Sequence, residues 1–127
     1  MKKIKFRGLS KNNEVWVYGF YWQAPDDSEY IRSIVDNHTV DYEVHPKTVG
    51  EYTGLKDYSV SEKEIYEGDV LLCREQDEHL EVFYSDGAFR VKFSFDNEST
   101  VLTEKLIKAN WLIKEGNRHE NPELLNS

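Results

Sequence analysis

The chemically capable side chains of this 127-residue chain are four histidines, one cysteine and 24 carboxylates. Asp36, His38, Asp41 and His45 lie close together in sequence, and imidazoles and carboxylates are the groups that hold hydrolytic divalent metals. On an extended strand Asp41 and His45 share a face and His38 falls outside it, so the cluster reads first as half-exposed polar positions. No HxH or HxxxH pair exists. Magnesium-nuclease chemistry of the PD…(D/E)xK kind would open at Pro25-Asp26, yet no lysine has an acid two positions before it. Glu75, Asp77, Glu78 and Glu81 lack the glycine and regular spacing of a calcium loop and read as a solvated loop. Cys73 ends an apolar run, where a thiol is inert, and a lone cysteine excludes an internal disulfide. Glycines 8, 19, 50, 54, 68, 87 and 116 draw neither GxGxxG nor a Walker loop, and no GxSxG elbow occurs. The sequence points to no catalytic, cofactor or metal site, and a non-enzymatic protein without cofactor is expected.

Binding chemistry is better supplied. Trp16, Tyr18, Trp22, Tyr84 and Phe89, beside Lys3, Lys5 and Arg7, are the materials of a small β-barrel that stacks bases and tracks phosphates. A net charge of −8 and a pI near 5.0 oppose that reading, because the whole surface repels a polyanion. The charge is split: residues 1–24 carry five bases against Glu14, while residues 25–81 carry sixteen acids against five bases. The basic opening and acidic middle are complementary within one chain or between subunits, and the acidic segment suits a basic partner or mimicry of nucleic acid. The longest apolar run, Val15–Trp22, has eight residues, far short of a bilayer span, and Lys5 and Arg7 interrupt any signal-peptide core. With a single cysteine the default compartment is the cytoplasm.

These side chains must be placed by strands. Ile4 and Phe6 alternate with Lys3, Lys5 and Arg7, giving a half-buried strand with a basic outer face. After the Ser10–Asn13 turn, Val15–Trp22 is apolar or aromatic at every position except Gly19, so it is expected to be covered on both sides by its own chain or another copy. Tyr30–Val35 and Val40–Val44 read as strands, His45–Thr48 as a turn, Val49–Thr53 as a strand, and Lys56–Glu64 as a polar loop. Beyond it, Val70–Arg74, Glu81–Tyr84 and Ala88–Phe95 are short strands, the last two joined through the hairpin turn Asp86-Gly87. Thr103–Lys108 predicts one helical turn, Trp111–Lys114 a closing strand, and Asn121-Pro122 the start of a short helix. The expected fold is mainly β: an N-terminal antiparallel sheet region over residues 1–55, then a small SH3-like barrel with a short C-terminal helical turn over residues 56–127, continuous with each other.

The blocks Ile4-Lys5-Phe6-Arg7-Gly8, Trp16-Val17-Tyr18-Gly19 and Thr48–Asp57 stand in this order, followed by Glu64-Ile65-Tyr66-Glu67-Gly68-Asp69-Val70, Tyr84–Phe89 and Glu120–Leu125. In this the chain resembles the YopX family of phage and prophage proteins. The resemblance implies an all-β protein whose second half is similar to an SH3-type barrel and which assembles into homo-oligomers; it implies no reaction. The family-motif positions Gly50, Glu51, Tyr52, Gly54, Tyr66, Glu67, Gly68 and Asp69 read as turn and packing residues, with Asp69 accepting turn N–H groups.

The expected function is therefore a phage or prophage accessory protein acting in the host cytoplasm as a homo-oligomeric interaction module. Its candidate surface is Trp16, Tyr18, Phe20 and Trp22 with Lys3, Lys5 and Arg7. A basic host or phage protein is a further expected partner, and no membrane is involved. Two other readings stand behind it: a nucleic-acid-binding small barrel, and a metal-dependent hydrolase using Asp36, Asp41 and His45.

Overall fold

The computed structural model of the protein describes residues 3–126. The chain divides into two compact units, Met1–Tyr52 and Thr53–Ser127. The first is an antiparallel meander of β1 (Phe6–Leu9), β2 (Trp16–Gln23), β3 (Glu29–Val35) and β4 (His38–Val44), followed by a 3-10 turn over Pro46–Thr48 and the start of β5 (Gly50–Lys56). In the sheet the order is β4-β3-β2-β1-β5.

Register decides which side chains go inward. Directly paired residues of an antiparallel ladder lie on the same face, so Tyr21, Ile31 and Tyr42 form one row across β2, β3 and β4. Their side packs Val17, Ile31 and Val44 with Phe6, Tyr21, Tyr42 and Val49. Gly8 belongs to this packing, since a Cβ there would sit 2.9 Å from the Val44 side chain. The β3–β4 connection is a two-residue turn, Asp36-Asn37, with both φ positive, which matches the twist of the strands it joins.

The second unit contains the rest of β5 with β6 (Glu64–Tyr66), and two three-stranded sheets. One sheet orders β12 (Ile113–Asn117), β7 (Asp69–Cys73) and β8 (Glu78–Glu81); the other orders β11 (Thr100–Val101), β10 (Ala88–Val91) and β9 (Phe83–Ser85). Asp86-Gly87 closes the β9–β10 hairpin with positive φ at both residues, as expected from that dipeptide. The expected helical turn is α1 (Glu104–Asn110), which begins where Thr103 Oγ1 accepts the Leu106 N–H at 3.1 Å. Ile65, Leu71, Leu80, Val82, Val91, Ile107 and Leu112 are buried together in the core of this unit.

The described residues are thus mainly β, with several antiparallel sheets and one α-helix. None of these described sheets closes into a barrel, so the structure shows the mainly β class without the SH3-like closure expected over residues 56–127. The C-terminal element is a 3-10 turn, Pro122–Leu125, with proline at its first position. No described helix is long and apolar enough to cross a membrane.

Candidate interaction face

The reverse side of the first sheet carries the candidate surface. Pairing of Arg7 with Tyr18, Phe20 with Arg32 and Trp22 with Tyr30 places Trp16, Tyr18, Phe20 and Trp22 in one row beside cations from both neighbouring strands. The expected two-sided cover of this strand is not provided by the described residues of the chain: Val17 turns inward and is buried, whereas Tyr18 and Phe20 remain 45% and 61% exposed. Complete apolarity hides the alternation that normally distinguishes the two sides of a strand.

The row has a sealed periphery and an open centre. At one end the Arg7 guanidinium lies over the Trp16 ring at 4.7 Å and Arg7 is only 2% exposed. Its stem and charge are folded into the sheet, so Arg7 does not join an accessible basic track as the alternation on β1 suggested. At the other end Trp22 stacks on Tyr30 with centroids 4.6 Å apart. The Trp22 Nε1–H donates to Asp41 at 3.0 Å, and Asp41 also receives two bonds from Arg32 at 2.8 and 3.1 Å. The Arg32 bonds, followed by the indole N–H, hold the Asp41 carboxyl below the usual carboxylate range, and Asp41 raises the Arg32 guanidinium in turn.

Between these ends lies a groove of about 150 Å3 walled by Ile4, Tyr18, Phe20 and Ile34 and rimmed by Lys3, Lys5 and Arg32. Its floor depends on Gly19. A Cβ on Gly19 would stand 2.0 Å from the Arg32 carbonyl oxygen, so only glycine lets β2 and β3 approach here. Beside it the Ser33 hydroxyl donates to the Tyr18 carbonyl and continues the strand contact. Arg32 and Ile34 were not singled out from sequence, although the alternation of Tyr30, Arg32 and Ile34 against the buried Ile31 places them on this side.

The family-motif residues sit in strands and turns. Gly50 and Glu51 pair with β1, and Tyr52 is buried with the Lys5 ammonium 5.4 Å from its ring centroid. Gly54 and Gly68 adopt positive φ. Asp69 is fully buried and accepts the Tyr66 N–H at 2.7 Å, while Lys114 reaches its carboxylate at 3.1 Å. The Tyr66 hydroxyl donates to Glu64, and Arg118 bridges Glu67 and Glu81 at 3.2 and 2.9 Å. The turn is thereby fastened to β12 and to the chain just after it.

The residues of the hydrolase reading are dispersed. Asp36 lies in the β3–β4 turn and His45 just past the other end of β4, where it meets Glu14 at 2.7 Å. Asp41 is engaged by Arg32 and Trp22. Among the described residues no group of three histidine, cysteine or acidic side chains is placed to hold a metal ion.

The fold and this face define a mainly β protein with an aromatic and cationic sheet surface. The family described as YopX protein matches residues 5–126, and the chain belongs to the YopX family. It is similar to the crystal structure of protein EF1440 from Enterococcus faecalis, with 20% sequence identity, a TM-score of 0.63, and coverage of 98% of this chain and 99% of that one. At that identity the likeness is one of fold. No curated protein matches the chain.

Proposed function

We propose that this YopX-family chain is a phage- or prophage-encoded accessory protein that works in the host cytoplasm without catalysis, as a self-associating protein-interaction module. The observation that supports this is the open groove between Tyr18, Phe20, Ile4 and Ile34, since contiguous exposed apolar surface rimmed by polar groups marks an interaction site. The excess of acid in the second unit, sixteen acids against nine bases in residues 53–127, favours a basic protein as an additional partner. An SH3-like relationship of the second unit belongs to the same proposal and rests on its short strands and tight turns.

Light scattering at micromolar concentration tests self-association. The wild type is expected above the 15.0 kDa of one chain. Phe20→Glu, which puts a carboxylate where a ring is buried on contact, is expected to weaken assembly at least about a hundredfold. A wild type that elutes as one chain refutes the proposal.

A second reading is favoured by one feature of the same surface. Tyr18 and Phe20 between Lys3, Lys5 and Arg32 resemble the stacking platforms that sheets offer to single strands. Titration of oligonucleotides at low salt decides it, because a strand not bound there is not bound at physiological salt.

A further inference from the structure

The groove on the first unit restricts what can fill it. Its volume, about 150 Å3, matches an apolar cavity that takes up a single benzene-sized ring. The apolar walls are all at least 45% exposed, so one inserted ring covers them together. With Arg32 held by Asp41, the rim lysines Lys3 and Lys5 are the charges that favour carboxylates next to that ring. The fitting occupant is one aromatic side chain without a polar atom, flanked by acids.

The second unit presents such a group. Its exposed rings are Tyr58, Tyr84, Phe95 and Trp111. The two tyrosines would bring a hydroxyl into an apolar pocket, and the Trp111 indole is larger than one ring and follows a helix bearing Lys105 and Lys108. Phe95 is the most exposed of the four at 64% and is followed by Asp96 and Glu98. Its loop is already ordered. Phe95 stacks on the buried Phe93 with centroids 5.2 Å apart, the Asp96 N–H donates to the Phe93 carbonyl, and Ser94 is fixed to Glu78 by bonds of 3.0 and 2.6 Å. A loop fixed before contact loses little freedom on docking.

We propose that the Phe95 loop of one copy inserts into the Tyr18–Phe20 groove of a second copy. This rests on the reading that the protein self-associates through that groove, and it adds that the contact is head-to-tail. Each copy then offers one groove and one plug, so assembly proceeds to a ring or an open chain.

Complementation tests it. Phe20→Glu damages the groove and leaves the plug; Phe95→Ser removes the plug and leaves the groove. Both sites are exposed, and circular dichroism checks that each variant is folded. Each variant alone is expected to scatter as a single chain. An equimolar mixture is expected to double in mass, because one intact groove and one intact plug remain. The docking is overturned if the mixture stays monomeric, or if Phe95→Ser assembles like the wild type while Phe20→Glu does not. The last outcome assigns a face-to-face contact and leaves self-association standing. A monomeric wild type overturns both readings, and quenching of its tryptophan fluorescence by an oligothymidylate would then assign the face to a single strand.

Discussion

Asp57 is a residue of the second unit whose replacement should be costly for a small change in volume. It is 5% exposed, and its carboxylate takes four hydrogen bonds. Oδ1 accepts from the Ser59 N–H at 3.2 Å, the Ser59 hydroxyl at 2.6 Å and the Lys63 N–H at 2.9 Å; Oδ2 accepts from the Lys114 N–H at 2.9 Å. One side chain therefore shapes the loop after β5 and ties it to β12. Asp57→Ala leaves the two distant amides, of Lys63 and Lys114, without their acceptor. At about 1–3 kcal/mol for each buried donor left unpaired, with a smaller loss at Ser59, the expected destabilisation is about 3–5 kcal/mol. In a domain of this size that lowers Tm by roughly 10–20 °C. Asp57→Asn keeps the shape but turns an N–H2 toward one of the two donor sets, and is expected to cost about 1–3 kcal/mol. Burial pushes the Asp57 carboxyl upward, but the bonds from Ser59, Lys114 and Lys63 outweigh it and hold the group below the usual range. A carboxyl depressed in the folded state stabilises at pH values above its unfolded pKa, and that contribution is lost as pH falls through the folded pKa. The stability gap between wild type and Asp57→Asn should therefore be constant at neutral pH and narrow below about pH 4. Urea unfolding gives the magnitude, and hydrogen exchange at the Lys63 and Lys114 amides gives the location. A loss under 1 kcal/mol in Asp57→Ala, or unchanged protection of both amides, refutes the reasoning.

Two glycine substitutions separate steric from conformational cost. Gly19→Ala forces a methyl to within 2.0 Å of the Arg32 carbonyl oxygen, so β2 and β3 must part, and about 2–4 kcal/mol of stability should be lost; an unchanged urea midpoint would refute the close approach. Gly87→Ala meets nothing within 4 Å and pays only for its positive φ, so about 1 kcal/mol is expected, and a loss as large as that of Gly19→Ala would contradict the turn geometry.

Much of the strand order was legible because alternation and turn chemistry agree. Phe6 faces inward between the half-buried Lys5 and the buried Arg7, although Ile4, expected beside it, is exposed on the groove side; Asp86-Gly87 makes its hairpin, and Thr103 starts the helix. The row Trp16, Tyr18, Phe20 and Trp22 was named from sequence, but that it faces outward while Val17 and Tyr21 face the core was not legible, since apolar residues at successive positions give no period to read. Its facing is set by register with Arg32 on β3, which is a property of the pair of strands. Arg7 was misleading for a related reason: a long cationic side chain on an outward position can lie flat on a neighbouring ring, as it does on Trp16. Asp57 shows a different limit. Asp26-Asp27-Ser28 and Asp57-Tyr58-Ser59 share the same spacing, and in both the serine N–H and hydroxyl donate to the aspartate. Only Asp57 is also reached from Lys63 and Lys114, so the local motif predicts the turn in both places and the buried junction in neither.

Net charge is a poor guide to what the first sheet can bind. Residues 1–52 hold seven bases and eight acids, close to balance, whereas residues 53–127 hold nine and sixteen. Several acids of the first unit are already engaged: Asp41 by Arg32, Glu43 by Lys11 at 3.1 Å, and Glu14 by His45. Screening confines the field of exposed charges to about 8 Å at physiological salt. A group entering the groove therefore feels chiefly Lys3 and Lys5, because Arg32 is balanced by Asp41. That local sign makes salt a discriminating variable. Insertion of a ring flanked by Asp96 and Glu98 brings opposite charges together and should weaken as salt rises. Two copies meeting groove to groove would oppose their cationic rims, and their association should strengthen with salt. Assembly that tightens between 50 mM and 500 mM salt would thus exclude the acidic plug even with the ring contact retained.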